Sequence, residues 1–503
     1  MARFCQVVAA VLCVVVFSAG YPRTWRDITG EHNIRAEYVK FEKGEVHLKR
    51  ESDGRIIKLA MDKLSRYDQR WVKNRLKKER AGEVPKSSDR TDELDDTPGT
   101  SAPSSTAYDW PQWRGKNRDG KTNEVGLLKS WPSSGPTKLW SASGLGKGWA
   151  SVAVVGDRMY TMGSRNNREY MICLNESDGS QIWVAPVGTA DHTNCTPTVD
   201  GDLVYGIGLS GDLVCCNAAD GKEVWRKNFA RDFNGKMMSQ WGFSESPLVD
   251  GDYLVCTPGG PEAIIAAIEK TTGRVAWTTP LPPMVGKKGK DGAGYSSIVI
   301  SNGAGVKQYV TLVGRGVIGV AASNGRLLWG YNDIANDTAN IPTPLVWDDY
   351  VFCSSGYDAG SALLRLSKTG TRIAASKVYF LTGKQMQVHH GGMILHNGNI
   401  YCGHGNNNGF PLCINAMNGQ ANWGPQRGPG SGSAGVTYAD GHIYYRYENG
   451  IMALVEATPD AFKLKGTFRI ATVNGKSWPH PVIANGKLYL RDEDDLHCYD
   501  IKQ

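Results

Sequence analysis

One glutamate and three histidines of this sequence are candidates for proton transfer or metal binding. Glu245, His389 and His480 combine a carboxylate with imidazoles, groups that often do acid–base chemistry or hold transition metals. His390 follows His389 directly. The alternative interpretation is structural, since such residues also cap strands and hold loops. The residue types leave both interpretations open, with Glu245 as the candidate catalytic group.

Aromatic and amide side chains that could bind a ligand stand in the same segments of the chain. They are Trp149, Trp241, Trp478 and Asn340. If each segment begins the innermost strand of a repeated sheet around a channel, side chains two residues apart share a face. Glu245 and His480 would then meet across the channel mouth, where converging polar and aromatic groups form a ligand site. The tryptophans could stack a planar quinone or a sugar, or could pack between sheets.

A repeated eleven-residue frame organises most of the chain. It reads AIEKTTGRVAW at 267–277 and recurs four more times. A glycine precedes a tryptophan by four residues in each copy: Gly179 and Trp183, Gly221 and Trp225, Gly273 and Trp277, Gly325 and Trp329, Gly419 and Trp423. Glycine takes the positive φ of a tight hairpin turn, and the tryptophan on the next strand can dock against a neighbouring copy. The sequence therefore indicates a repeat protein.

A second recurring element, a strand pair around a V-x-G-D turn, completes each copy. It reads VVGDRMY at 154–160, VDGDLVY at 199–205 and IANGKLY at 483–489. Each copy predicts a four-stranded antiparallel blade. Eight copies predict an all-β, eight-bladed β-propeller over residues 110–503.

The two ends of the repeat region complete the predicted ring. The eighth copy stops at CYDIKQ, before its last strand, and SSGPTKLW (133–140) supplies the missing strand with Trp140 at the docking position. Pairing of these segments would leave no open sheet edge. The repeat is imperfect, because blade 5 has Ala374 where tryptophan is expected and blade 7 has no Gly–Trp step.

Residues 1–20 have the pattern of a secretory signal. Arg3 precedes an apolar run from Val7 to Phe17, and small residues precede a cleavage site after Gly20. The run is shorter than the roughly 18 residues that a membrane anchor needs, and the sequence predicts no transmembrane span after signal removal. We expect an exported protein, periplasmic or secreted.

Residues 21–80 are predicted to form a small SH3-like β-barrel module with an excess of Lys and Arg. The segments RTWRDITGEHNIRAEYV and KLAMDKLSRYDQRWV resemble the SLA-one homology domain one, which implies binding of a peptide or protein partner. The basic helix at 70–80 could attract an acidic partner or could be a solvated face. No aromatic-interleaved basic pattern indicates nucleic acid. Residues 81–109, rich in Pro, Ser, Thr and acidic residues, are predicted to be a flexible linker.

The frame A-x-D-x-x-T-G-x-x-x-W resembles the tryptophan-docking repeat of pyrroloquinoline-quinone (PQQ) propellers. That family includes quinoprotein alcohol dehydrogenases and BamB lipoproteins. WPQWRGKNRDG (110–120), HHGG (389–392) and WPHPV (478–482) are similar to a bacterial group of PQQ-like propellers. The resemblance covers nearly all of residues 110–503.

Two functions are compatible with this resemblance. The first is an exported, non-catalytic binding or scaffold protein, which the missing catalytic motifs favour, including the lack of a C-x-x-C-H haem site. The alternative is a PQQ-dependent dehydrogenase acting on alcohols or sugars at the channel mouth. The resemblance implies PQQ and Ca²⁺ for that activity, with Glu245, Asn340 and Arg315 as candidates to hold them. The residues by themselves assign no cofactor and no metal.

Nine cysteines remain after removal of the predicted signal, and most fall on repeat positions. Those in the position of Ala267 are Cys173, Cys215, Cys413 and Cys498. A small inward position favours free core cysteines over disulfides. Quinoprotein alcohol dehydrogenases carry a vicinal disulfide at the cofactor, but Cys215 of the Cys215–Cys216 pair fills the ordinary repeat position.

Overall fold

The computed structural model describes residues 23–26, 33–64, 68–69, 72–73, 76, 106–281 and 286–503. The chain divides into two units, Met1–Thr97 and Pro98–Gln503. The predicted signal, residues 1–20, and most of the predicted linker, 81–109, lie outside the described residues.

The small unit contains a four-stranded antiparallel sheet of β1 (Arg23–Arg26), β2 (Asn33–Glu42), β3 (Glu45–Arg50) and β4 (Ile56–Ala60), followed by a 3₁₀ turn at Met61–Lys63. The turn between β2 and β3 carries Gly44 at a φ of +83°. Trp25 is buried in the core with Val46 and Leu48, and its indole nitrogen donates to the carbonyl oxygen of Ala36 at 2.9 Å. The small β module predicted for this region is confirmed.

The large unit consists of eight four-stranded sheets in chain order. The strand before the first blade is β5 (Thr137–Ala142). Blades 1 to 4 are β6–β9 (Ala153–Val155, Arg158–Arg165, Arg168–Asn175, Gln181–Gly188), β10–β13 (Thr198–Asp200, Leu203–Ile207, Asp212–Asn217, Glu223–Asn228), β14–β17 (Leu248–Asp250, Tyr253–Cys256, Ile265–Glu269, Val275–Thr279) and β18–β21 (Val299–Ser301, Gln308–Val313, Gly316–Ala321, Leu327–Tyr331).

Blades 5 to 8 continue the same pattern. Their strands are β22–β25 (Leu345–Trp347, Tyr350–Ser355, Gly360–Thr369, Arg372–Leu381), β26–β29 (Met393–His396, Asn399–His404, Phe410–Asn415, Ala421–Trp423), β30–β33 (Ala434–Ala439, His442–Tyr447, Ile451–Glu456, Leu464–Arg469) and β34–β36 (Val482–Ala484, Lys487–Asp492, Asp495–Asp500). A short helix, Phe229–Phe233, follows blade 2, and a 3₁₀ turn, Gly303–Gly305, connects the first two strands of blade 4.

Strand β5 closes the ring. It pairs antiparallel with β36, and Trp140 lies opposite Cys498. Separate apolar clusters then join blade to blade around the whole circle, and one of them packs Val482 and Leu496 of blade 8 against Ile172 of blade 1. The predicted eight-bladed propeller and its closure by the strand ending near Trp140 are both confirmed.

The Gly–Trp frame works as a dock between neighbouring blades. Gly221 has a φ of +74°, and a Cβ on it would stand 2.6 Å from the indole of Trp183 in the preceding blade. The indole nitrogen of Trp183 donates to the carbonyl oxygen of Ala218 at 3.1 Å, and that of Trp225 donates to Lys270 at 2.9 Å. Glycine is therefore required twice, for the backbone angle and for the space.

Two blades use a docking residue that the repeat frame does not reveal. In blade 5, Tyr379 pairs with Leu363 just before a β-bulge, at the same register as Trp225 opposite Cys215. In blade 7, Gly466 holds that register with the backbone and Cβ of Trp131 against it, and the ring that lies against the next turn glycine, Gly135, is that of Phe468. An aromatic ring therefore fills both gaps left by the sequence pattern.

The nine cysteines of the described residues are buried and free. The four that share the position of Ala267 lie opposite the docking tryptophan of their own blade, as the frame predicts. Burial raises the pKa of the Cys195 and Cys216 thiols to about 12, so both are protonated at neutral pH.

Candidate ligand-binding cavity at the channel mouth

The segment Trp110–Lys121 crosses the ring and bounds one cavity. Trp110 exchanges backbone hydrogen bonds with Val154 of the innermost strand of blade 1. On the opposite side, the guanidinium of Arg114 donates to the carbonyl oxygen of Met393 in blade 6, and Lys121 bridges to Tyr438 in blade 7. Contacts on both sides of the ring mean that this segment traverses the channel. Trp113 and Arg114 line the cavity.

The cavity has a volume of about 320 Å³ and lies where the chain enters the innermost strands. Six of the predicted site residues line it: Trp149, Trp241, His389, His390, Trp478 and His480. The indole rings of Trp149 and Trp478 meet at a centroid distance of 4.6 Å, and the ring of His390 lies 4.5 Å from that of Trp478. The structure thus brings together the aromatic and imidazole residues predicted for the channel mouth.

Glu245 does not reach the cavity wall. Its side chain is 2% exposed, and its carboxylate accepts a hydrogen bond from the backbone N–H of Thr257. Burial raises its pKa to about 7. The predicted meeting with His480 is not found: His480 lines the cavity, and the residue of blade 3 beside Glu245 that does so is Ser244.

Asn340 is buried and holds a loop by hydrogen bonds, as in the alternative in which such residues have a structural role. Its amide nitrogen donates to the carbonyl oxygens of Val313 and Gly314, both at 3.0 Å, and its oxygen accepts from the backbone N–H of Asn336. Its neighbours Ala339 and Ile341 line the cavity in its place.

Side chains two residues apart do not share a face here, because the segments that hold Glu245 and its counterparts precede the innermost strands. Leu248 is the first residue of β14, three positions after Glu245. The preceding backbone instead bonds to hydroxyls of the next blade: Ser151 N–H to Thr196 at 3.0 Å, and Ser246 N–H to Ser297 at 3.0 Å. Alternation between two faces holds only within a paired strand, so a loop residue can shift the cavity-facing position by one.

Several wall residues were missed by sequence reasoning. They are Trp113, Arg114, Asn194, Ser244, Tyr295, Tyr357 and Lys476. Trp113 and Arg114 belong to the WPQWRG motif, whose resemblance concerns the family and predicts no site. Ser244 directly precedes Glu245, and Asn194 lies at the equivalent position before blade 2. Tyr295, Tyr357 and Lys476 carry no signal in the repeat.

The three imidazoles are neutral at pH 7. Burial lowers the pKa of His389 to about 4 and that of His480 to about 3, and it lowers the pKa of His390 in the same direction. His389 lies between the hydroxyls of Tyr357 and Ser433, at 2.9 and 3.0 Å. The three imidazoles therefore make the wall polar without adding charge.

Comparison with known families identifies the propeller. Residues 167–425, just over half of the chain, match the family described as outer membrane protein assembly factor BamB, a family of PQQ-like repeats. The chain belongs to this PQQ-like, BamB family. Residues 19–80 match SLA1 homology domain 1. No curated protein matches the sequence.

Solved structures share the fold of this PQQ-like propeller. BamB from Moraxella catarrhalis is 15% identical, with a TM-score of 0.50, and the alignment covers 73% of this chain and 99% of that one. A quinohemoprotein alcohol dehydrogenase from Comamonas testosteroni is 13% identical, with a TM-score of 0.54 and coverage of 78% and 80%. At these identities the likeness concerns the fold alone.

The wall of the PQQ-like propeller does not fit a quinone with Ca²⁺. Calcium needs several oxygen ligands, usually including carboxylates, and none of the described residues lining the cavity is Asp or Glu. Glu245 and Asn340 are bonded elsewhere, and Arg315 donates to Asp291 at 2.7 Å, outside the cavity wall. Among the described residues, no group of three or more His, Cys, Asp or Glu is placed to hold a metal.

Proposed function

We propose that this PQQ-like propeller is an exported binding or scaffold protein whose ligand site is the cavity at the channel mouth. The observation that supports this most is the chemistry of the wall. Four tryptophans, two tyrosines and neutral imidazoles line the cavity, and its described residues include no carboxylate. A concave, mostly apolar wall with a few polar groups is the usual form of a ligand site.

The same wall argues against a dehydrogenase. Oxidation of an alcohol needs a base with a pKa near the working pH to take the hydroxyl proton. Imidazoles with pKa values of about 3 and 4 are weak bases. Glu245, whose pKa of about 7 would suit a base, is turned into blade 3. A quinone-dependent dehydrogenase is therefore the less favoured hypothesis.

The small module supplies a second binding activity in this proposal. Its match to SLA1 homology domain 1 supports a peptide or protein partner for residues 21–80. Export is supported by the signal pattern of residues 1–20, which lie outside the described residues. Within the described ranges, no helix has the length and apolar character to cross a membrane.

The test of the cavity proposal uses the purified full chain. PQQ and Ca²⁺ are added, and a quinone absorbance band and dye reduction are sought with a panel of alcohols and sugars, while thermal unfolding reports binding. We expect no dye reduction, and we expect at least one of the added compounds to raise the thermal unfolding temperature. Dye reduction that depends on PQQ would contradict the proposal.

The test of the module is a pulldown with the full chain and with a variant lacking residues 21–80. We expect partner capture to depend on the module. A partner captured equally by both proteins would rule out this part of the proposal.

A further inference from the structure

The cavity exposes parts of three tryptophan rings that lie outside the docks between blades. The docking indoles of Trp183, Trp225 and Trp423 are each less than a tenth exposed, because they lie between blades. Trp149 and Trp478 are half-buried, and Trp241 is 37% exposed. None of these three belongs to the Gly–Trp frame. Part of each ring is therefore open to a ligand.

Neighbouring aromatic rings of the wall are tilted against each other and are not parallel. Trp149 and Trp478 are tilted by 50°, and Trp241 and Tyr295 by 70°. The indole nitrogen of Trp149 donates to Glu493 at 3.1 Å, which fixes the ring. A planar aromatic ligand gains most from an offset parallel face on each side. A puckered ring with apolar C–H faces suits a corner of two tilted indoles better.

The charges around the cavity disfavour a cation. Lys476 and Arg114 are the only charged residues among the described residues of the wall, and the ammonium of Lys476 already lies 4.7 Å from the ring of Trp478. A second positive charge in a partly desolvated site would be repelled. Glu448, 3.7 Å from the ammonium of Lys476, offsets part of its charge, so a ligand needs no more than one acidic group.

The polar side chains that line the cavity include both donors and acceptors. Asn194 and Asn407 carry amides, Ser244 and Thr343 carry hydroxyls, and Lys476 carries an ammonium. The wall can therefore pair with a ligand group that donates and with one that accepts.

Hydroxyl groups match such a wall. A hydroxyl donates and accepts, whereas the carboxylates and carbonyls of a quinone triacid only accept. A ligand whose groups pair with both kinds is therefore favoured. From these observations, and resting on the proposed binding function, we infer that the cavity binds a pyranose sugar, with its C–H faces on Trp149, Trp241 and Trp478 and its hydroxyls towards the amides and hydroxyls of the wall.

The experiment is titration calorimetry of the full chain against neutral disaccharides, against uronic-acid disaccharides and against PQQ as a planar control. We expect one or both sugar sets to bind, and the comparison shows whether Lys476 favours the acidic set. Trp241→Ala and Trp478→Ala are each expected to weaken binding by about tenfold or more. Trp347→Phe, outside the cavity wall, is the matched control and should bind as the parent does. Trp241 is partly exposed, so its variant is expected to fold even if the Trp478 variant does not.

The outcomes separate this inference from the proposed function. If PQQ or another planar compound binds in the cavity without turnover and no sugar does, the sugar inference is wrong and the binding function stands. If sugars bind but the two tryptophan variants bind them unchanged, the site lies elsewhere and the inference is also wrong. If a sugar is oxidised in a PQQ-dependent way, the binding function itself is wrong.

Discussion

The ring of Tyr379 in blade 5 lies against Gly419 in blade 6, and its hydroxyl donates to the carbonyl oxygen of Ala416 at 2.8 Å. A Cβ on Gly419 would stand 2.8 Å from the tyrosine ring. Trp183 makes the same pair of contacts with Gly221 and Ala218. A tyrosine can therefore replace the tryptophan, because its hydroxyl reaches the carbonyl that the indole N–H reaches elsewhere.

This contact predicts the cost of a methyl group at Gly419. Gly419→Ala should lower the free energy of unfolding by about 3 kcal/mol, from an unfavourable positive φ and from crowding of Tyr379. Gly398→Ala is a matched control, since Gly398 has the same φ of +72° in the same blade and open space around it. The control should cost about 1 kcal/mol. Equal losses in urea unfolding would show that the dock contributes nothing.

The glycine turns and the number of blades could be predicted because they depend on local chemistry. A tight turn selects glycine wherever it occurs, and the interval to the next strand is fixed by the hairpin. Phe468 and Tyr379 could not be found in this way. A dock needs an aromatic ring at one place in space, and a residue at another position of the strand can supply that ring.

The cavity was only partly predictable for a related reason. Trp149, His389, Trp478 and His480, which the sequence assigns to the channel mouth, line the cavity, whereas Asn194 lines it without a signal in the sequence. The segments before the innermost strands bond to serine and threonine hydroxyls of the next blade. Their side-chain directions follow those contacts and not the alternation of a strand, so the alignment predicts which segments form the mouth but not each residue that faces it.

Trp131 is expected to hold the segment before β5 against blade 7. Its ring packs edge-on against Tyr444 and Phe468, at centroid distances of 5.6 and 5.1 Å, and its backbone N–H donates to Lys465 at 3.1 Å. Trp131→Ala should lower the free energy of unfolding by about 3–5 kcal/mol, as for other buried aromatic truncations. Trp131→Phe should lose clearly less. Urea unfolding of the three proteins checks the order, and an unchanged midpoint for Trp131→Ala would contradict it.

Glu245 makes stability depend on pH above its ordinary titration range. Its pKa is about 7 in the folded protein against an ordinary value of 4.5, so the folded state holds more protons between these values and stability falls as pH rises from about 4.5 to 7. Glu245→Gln should remove this loss and be more stable than the parent at pH 8, by up to about 3 kcal/mol. The exposed Glu262→Gln is the control. Glu245→Gln should bind ligand as the parent does. A loss of ligand binding in this variant would mean that Glu245 belongs to the binding site.

His389 predicts the opposite response on the acid side. Its pKa is about 4 in the folded protein against an ordinary value of 6.5, so the unfolded chain holds more protons in that window. The contribution of His389 to stability is then full above pH 6.5 and falls by about 3 kcal/mol as the pH drops towards 4. Its ring nitrogens bond to Tyr357 and Ser433, and His389→Gln keeps a donor and an acceptor without a titrating group. Urea unfolding between pH 4 and 7 should show a shallower loss for the variant, whereas equal slopes would mean that His389 does not carry the acid sensitivity.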